Sequence, residues 1–387
     1  MAANTSEVRR IGVIGGGQLA WMMAAGAKTL GIELCVQTPN TDDPACEIAA
    51  KTFLGAVADA AVTANMAKDC DVITFENEFI DLPALRALEA RGILFYPQLD
   101  CLAPLLDKYD QRQYCEQINL PSPVFTTLHS EEELPTLKEK VATVGLPLAL
   151  KTRRHGYDGQ GTFILQTFEE IQATWKTLGY QPILLEAFVN FEKELAVMVA
   201  RSNTGEVAVY PVVETQQIDQ VCRRVIAPAQ VEERVVDEVS AIATRLVTEL
   251  GFVGILGIEL FLTAEGRVLI NEIAPRTHNS GHYTLEACVT SQFEQQLRAV
   301  SSLPLGSTAL TRQGAVMINL LGTEDSNTQY AQQRAALAQR PDTYVYWYGK
   351  QQSRLGRKMA HVTVLTDTPN NDIAVANIVK TVEGLWY

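Results

Sequence analysis

A short apolar run at residues 11–14, broken by Gly15-Gly16-Gly17 and followed by an apolar-periodic stretch over 19–30, constrains the fold more than any other feature. A strand that turns through glycine into a helix opens a parallel α/β layer, because the helix must carry the chain back before the next strand can begin. The alternation continues with strand-like 32–36, helix-like 60–67, strand-like 71–75, helix-like 82–91 and strand-like 93–96. A parallel sheet flanked by helices is therefore expected over residues 1–106.

A helix is expected over 105–118, ended by Leu120-Pro121-Ser122-Pro123, where proline removes donors and fixes backbone angles. The pattern between 147 and 205 is mixed. Segments 148–151, 162–165, 183–188 and 195–199 read as strands and 168–178 as a helix, a compact α+β lid. Residues 231–250 have helical periodicity, and 253–262 and 268–273 read as buried strands joined by the tight turn Ala264-Glu265-Gly266. After a helix at 292–300, Leu303-Pro304-Leu305-Gly306-Ser307 is the clearest late linker. Strands at 315–320 and 362–365 and an amphipathic helix at 373–385 follow. The 387 residues exceed what one core usually supports. Two or three domains are therefore expected.

A formal net charge of -13 repels phosphate backbones and anionic headgroups, so neither a nucleic-acid nor a membrane partner is expected. Seven cysteines without a CxxC pair fit a reducing compartment. With no signal-peptide core before Ile11 and no uninterrupted membrane-length apolar run, a cytoplasmic protein is expected.

Gly15-Gly16-Gly17-Gln18-Leu19-Ala20 fits a turn that lets amides approach an anion, or a purely structural tight turn. The dinucleotide reading also wants an acid closing the second strand, which here ends Val36-Gln37-Thr38. Lys151, at a strand end, leads into Thr152-Arg153-Arg154-His155-Gly156-Tyr157-Asp158-Gly159-Gln160-Gly161. Such a loop can fold over phosphates, with Lys151 as point charge; the plainer reading is a surface hairpin. Glu259 lies within one apolar strand, and Glu272, after Asn271, ends the next. A hairpin sets these hard oxygen ligands opposite each other, suited to Mg2+ shared with phosphates. Pro275-Arg276-Thr277-His278-Asn279-Ser280-Gly281-His282 follows at once, offering an anion-binding arginine and histidine, or a helix cap at Asn279 or Ser280. Lys350, Arg354, Arg357 and Lys358 form a basic cluster that is either a solvated face or a second phosphate site.

In this order the motifs resemble the ATP-grasp superfamily. The string from Ile270 through His282 is similar to one family within it, the 5-(carboxyamino)imidazole ribonucleotide synthetases. Supporting strings are Gly17-Gln18-Leu19, Phe75-Glu76-Asn77-Glu78, Asp107-Lys108, Gly156-Tyr157-Asp158-Gly159 and Gly356-Arg357-Lys358. The resemblance implies three parts, an N-terminal parallel-sheet domain over 1–106, a central ATP-grasp domain over 107–304 with a mobile lid at about 121–190, and a small C-terminal domain over 305–387, in a homodimer. It implies that Lys108 and Lys151 hold ATP phosphates, that Glu186, Ala187, Phe188 and Val189 contact adenine, and that Glu194 binds ribose. Asn271 would join this ATP site, with Glu259 and Glu272 binding Mg2+. The 5-aminoimidazole ribonucleotide would meet Gln18, Glu78, Tyr157, Asp158, Arg276, His278, Asn279, Ser280, Lys350, Arg357 and Lys358. Gln160 stands where an arginine is frequent, and Ala20 and Ala360 where glycine is common.

The implied reaction is attack of bicarbonate on ATP to give carboxyphosphate, then transfer of carbon dioxide to the aminoimidazole amine. Arg276, Lys151, Asp158 and His278 are the expected catalytic groups. The rivals are another ATP-grasp ligase, a nicotinamide-dependent oxidoreductase built on Gly15 to Ala20, and a catalytically silent nucleotide-binding module.

Overall fold

The chain builds three sheets in a computed structural model that describes residues 8–154 and 161–387. The first is parallel, in the order Lys51–Leu54, Glu33–Thr38, Arg10–Ile14, Val72–Phe75. Its central strand is buried at Ile11, Val13 and Ile14, as expected of a strand covered on both faces. Two expectations change here. The stretch at 93–96 contributes only a single bridge, Ile73 to Phe95, because Pro97 has no N–H to continue the ladder. The helix at 19–30 is split at Met23 into Gln18–Met22 and Ala24–Leu30, since the Met23 amide turns back to the Ala20 carbonyl. Lys51–Leu54, not anticipated, buries only Phe53 and so shows no alternation.

The second sheet is antiparallel, in the order Phe125–Leu128, Ile183–Ala187, Leu148–Thr152, Thr162–Leu165. Helices Leu137–Val144 and Phe168–Thr177 cover it, closing a small core around Leu137, Leu148, Leu150, Ile171, Trp175 and Leu185. Thr167 and Glu170 form a capping box that starts the second helix where the strand ends.

The third sheet has nine strands. Eight run in the order Val268–Ala274, Gly254–Thr263, Phe191–Arg201, Val213–Ile218, Val221–Ala227, Gly314–Leu321, Lys358–Thr366, Thr343–Trp347, with Val207–Val209 added beside Phe191–Arg201. The strand expected at 195–199 is thus part of this sheet and not of the lid. The strands expected after residue 305 join it too.

The amphipathic helix Glu233–Glu249 buries Val235, Val239, Ile242, Ala243, Leu246 and Val247. At roughly 1.5–3 kcal/mol per buried aliphatic side chain, that stripe outweighs any helix propensity. One continuous apolar cluster runs from Phe75 and Phe95 of the first layer to Val239 and Ile258, so the parallel layer is welded to the nine-stranded sheet. The helix expected at 105–118 begins only at Lys108, because the Asp107 carboxylate caps it by accepting from the Tyr109 and Asp110 amides. No helix among the described residues is long and apolar enough to cross a membrane.

Candidate active site

The hairpin Gly254–Thr263 and Val268–Ala274 pairs Glu259 directly with Glu272. Side chains at paired positions share a face of the sheet, so the two carboxylates converge. Burial, and next the charge of Glu272, pushes Glu259 up to about 7. Burial would raise Glu272 as well, but the Lys108 ammonium, 2.5 Å from Oε2, holds it below the ordinary value. Asn271 Nδ2 donates toward Glu259 Oε2 at 3.5 Å, and its Oδ1 accepts from Lys151 Nζ at 3.0 Å. Among the described residues no cluster of three or more His, Cys, Asp or Glu could enclose a metal. A converging, partly desolvated acid pair instead fits a hard divalent ion that takes its other oxygens from phosphates.

Lys151 reaches this cleft from the second sheet. Its Nζ lies 2.6 Å from Glu186 Oε2, and the other Glu186 oxygen accepts from Arg112 Nε. Arg112 also donates to the Asn271 carbonyl at 2.5 Å. The Glu186 carboxylate is therefore committed to two cations. Although burial alone would raise it, Arg112 and Lys151 bring it down to about 2. Glu186, Ala187, Phe188 and Val189 cross from the lid sheet toward Phe191–Arg201, with Phe188 exposed. Glu194, opposite Phe261, is close enough to raise Glu259 further, and burial raises Glu194 itself.

The loop after Ala274 lies against both the first layer and the C-terminal strands. Arg276 Nε is 3.0 Å from Glu78 Oε1. His278 Nε2 is 3.7 Å from Glu259 Oε1, and its Nδ1 is 2.9 Å from Ser280 Oγ. Asn279 exchanges side-chain amide bonds with buried Asn319, at 3.0 and 2.7 Å, which turns this group toward the Gly314–Leu321 strand. Lys358 begins the neighbouring strand and is near enough to lower Glu259. Lys350 Nζ donates to the Lys358 carbonyl at 2.7 Å and lies over the Tyr348 ring, while Arg357 donates to the Gln352 carbonyl at 2.6 Å. Tyr157, Asp158 and Gln160 lie outside the described residues.

The glycine turn has an anion, but one from the protein itself. The Glu76 carboxylate accepts from the Gly17 and Leu19 amides at 2.7 and 3.1 Å. A Cβ at Gly15 or Gly17 would fall 2.4 Å from a Glu76 oxygen, so the glycines make room for this contact. Gln18 starts the short helix beside it. The cofactor-cradling reading of the turn, and with it the oxidoreductase, loses its site. Arg112 and Asn319 were not anticipated, and Glu76 was noted only within a supporting string without this role: each is a polar residue whose partner lies far away in sequence.

Three family models match the chain in succession: a ribonucleotide synthetase preATP-grasp domain over 8–104, an ATP-grasp domain over 113–293, and a phosphoribosylaminoimidazole carboxylase C-terminal domain over 315–373. The N5-carboxyaminoimidazole ribonucleotide synthase of Synechococcus elongatus is 52% identical over 388 residues, covering 100% of this chain and 97% of the relative. That of Bacillus subtilis is 37% identical, covering 92% and 91%. The structure of N5-carboxyaminoimidazole synthase from Aspergillus clavatus in complex with ADP and 5-aminoimidazole ribonucleotide is similar at a TM-score of 0.88. It is 30% identical, with 97% of this chain and 98% of that chain covered.

Proposed function

Since the chain belongs to the N5-carboxyaminoimidazole ribonucleotide synthase family of ATP-grasp ligases, we propose a division of labour among the residues of its cleft. The reaction is the ATP- and bicarbonate-dependent carboxylation of 5-aminoimidazole ribonucleotide, through carboxyphosphate, in purine biosynthesis. Lys108 and Lys151 hold the ATP phosphates. The chain from Glu186 through Val189 lines the adenine, with the Glu186 side chain kept for Lys151, and Glu194 takes the ribose hydroxyls. Asn271 orients Lys151 between these groups. A magnesium ion bound at Glu259 and Glu272 supplies added neutralisation of phosphate charge.

When bicarbonate attacks the γ-phosphorus, Lys151 and Arg276 offset the charge that develops on the equatorial oxygens. Both are fixed before substrate arrives, Lys151 by Glu186 and Arg276 by Glu78, so little reorganisation is needed. The aminoimidazole ribonucleotide fits between Gln18, Glu78, Arg276, His278, Asn279 and Ser280 on one side and Lys350, Arg357 and Lys358 on the other, and Tyr157 and Asp158 complete the set of residues assigned to it. Lys350, Arg357 and Lys358 suit its phosphate, and Asp158 suits removal of the amine proton, with His278 beside the transferred group. A closed site keeps water from carboxyphosphate. The parts are residues 1–106, 107–304 and 305–387, with the lid at about 121–190. The same reading makes the enzyme a cytoplasmic homodimer, which sedimentation equilibrium tests for assembly.

The observation that carries this reading is the Glu259–Glu272 pair opposed across one hairpin, with Lys108 bonded to one member. ADP release by the purified protein should require both bicarbonate and aminoimidazole ribonucleotide. Glu272→Ala should lower kcat by on the order of 100-fold or more, as expected for loss of a metal-holding carboxylate. ADP release indifferent to the aminoimidazole would overturn the acceptor, and full turnover by E272A would overturn the role of the acid pair.

A further inference from the structure

Gln292 opens the helix Gln292–Val300 and is wholly buried, directly beneath the loop that carries His278. Its side-chain amide meets the His278 backbone at both polar groups. Oε1 accepts from the His278 N–H at 3.0 Å, and Nε2 donates to the His278 carbonyl at 2.8 Å. This pair of antiparallel bonds reproduces what a neighbouring strand would offer, in a stretch of chain that belongs to no sheet. Turning the amide over would set donor against donor and acceptor against acceptor.

The second N–H of Gln292 Nε2 points to His282 Nδ1, 3.2 Å away. Because that nitrogen is a donor, Nδ1 must accept, which fixes the ring as the neutral tautomer with its proton on Nε2. His282 Nε2 is buried and has no hydrogen-bond partner among the described residues. An apolar side chain would avoid that unmet donor, so the imidazole is explained by the acceptor it presents to Gln292.

The packing leaves the loop little room. A Cβ at Gly281 would come within 2.5 Å of Gln292 Oε1, and one at Gly257 within 2.5 Å of His278 Cβ. His278 is thereby wedged between the amide clamp and the strand that carries Glu259 two residues further on. Thr284 Oγ1 accepts from the Gln292 backbone amide at 2.9 Å and donates to the Gly281 carbonyl at 2.6 Å, closing the loop's far end.

We propose that Gln292 is a positioning residue for the aminoimidazole pocket, clamping the His278 backbone so that its ring faces Glu259 and Ser280, with His282 dictating the direction of the clamp. The proposal deepens the functional reading and rests on its placement of His278 in that pocket. The residue touches no substrate atom; it acts through His278.

The test compares Gln292→Met, which keeps length and loses both bonds, with His282→Leu, which removes the acceptor, and His282→Asn, which returns an oxygen near the place of Nδ1. KM for aminoimidazole ribonucleotide should rise about tenfold in Q292M, the scale of one or two lost backbone hydrogen bonds, while KM for ATP stays within about twofold. H282L should shift the same constant in the same direction, and H282N should restore it. Equal rises in both KM values, or an unchanged aminoimidazole KM in a folded Q292M, overturn the proposal. If Q292M does not fold, the H282L and H282N pair decides on the same criterion. Should the wild type show no aminoimidazole-dependent ADP release, the functional reading fails instead. The clamp is then judged by whether His278 moves in a crystal structure of H282L, and an unmoved His278 overturns it.

Discussion

Lys151 carries its charge where burial disfavours it. Desolvation pulls its pKa below the ordinary lysine value, Glu186 opposes that shift, and Arg112 adds to it. The ammonium has thus exchanged water for a fixed carboxylate and an amide oxygen, so a phosphate arriving there meets a charge already stripped of solvent. Lys151 was legible in the sequence as a strand-terminal lysine before a glycine-rich loop. Arg112 was not: it sits in the polar helix Lys108–Gln117, and its partner Glu186 is 74 residues away. His361 shows the opposite solution, a titratable ring kept neutral. It is fully buried, stacked on Tyr346 with centroids 4.8 Å apart, 2.8 Å from the Tyr348 hydroxyl and 5.0 Å from the His282 ring, and burial pushes it down to about 3. His282 is pushed down as well, by burial and then by His361. An unfolded chain takes up a proton at each ring near the ordinary value of 6.5, whereas the folded His361 resists until about 3. Stability from this ring is therefore complete above the unfolded value and lost as pH falls toward the folded one. Between pH 6.5 and 5 the loss is about 2 kcal/mol for one histidine at 1.36 kcal/mol per unit. His361→Gln should lose correspondingly less than wild type when urea midpoints at pH 7.5 and pH 5 are compared; equal losses would sink this account.

The elements that were legible are those whose register is set locally. The turn Ala264-Glu265-Gly266 joins two apolar strands and sets Leu262 opposite Val268; counting back from there would put Asn271 opposite Glu259, and a one-residue register shift between Glu259 and Leu260 brings Glu272 to that place instead. The lid strands Leu148–Thr152 and Thr162–Leu165 and the helix Phe168–Thr177 were legible as short segments whose pattern is local, and the capping box found at Thr167 and Glu170 fixes where the helix begins. Thr343–Trp347 and the helix Ala331–Ala338 were not, because the strand buries no residue fully, the helix buries only Leu337, and neither shows a clean period. The glycine turn was legible as a shape but not as a purpose. Its anion, Glu76, comes from the end of another strand, 59 residues after Gly17. The acid hairpin also carries a trade between stability and activity. Without a cation, the charge on Glu259 is disfavoured first by burial and next by the Glu272 carboxylate facing it across the ladder, as its raised value of about 7 records. Glu259→Gln keeps the shape and removes the repulsion. The ligand-free variant should gain on the order of 1–2 kcal/mol, a rise of a few degrees in Tm, while ADP release falls at least about 100-fold. A variant that melts at or below the wild-type temperature would show that the pair is not strained.

At the scale of the whole molecule, the sheet of nine strands passes through the point where the sequence shows its clearest late linker. Composition revealed the linker at 303–307, but a linker says only where the chain is free of secondary structure, not whether the strands on either side pair. Here they do. Gly314–Leu321 is buried at all eight positions and is bonded to Val221–Ala227 on one side and Lys358–Thr366 on the other. Three further ties cross the same boundary: Asn319 with Asn279, Arg224 with Glu383 at 2.8 Å, and Asn370 Nδ2 with the Ala227 carbonyl at 2.7 Å. Lys358 and the loop at 275–282 are held in one frame by these bonds, so a site assembled from both depends on the pairing being intact. Cutting the chain at 304 would leave Val221–Ala227 as an open edge, with its backbone donors and acceptors unpaired beside the apolar Val225, Ile226 and Ala227. Such an edge is a template for aggregation. Residues 1–304 expressed alone should therefore be insoluble or melt without cooperativity, and co-expression with residues 305–387 should return soluble protein with aminoimidazole-dependent ADP release. A soluble, cooperatively melting 1–304 fragment would show that the late strands are an appendage and not part of the frame that holds the site.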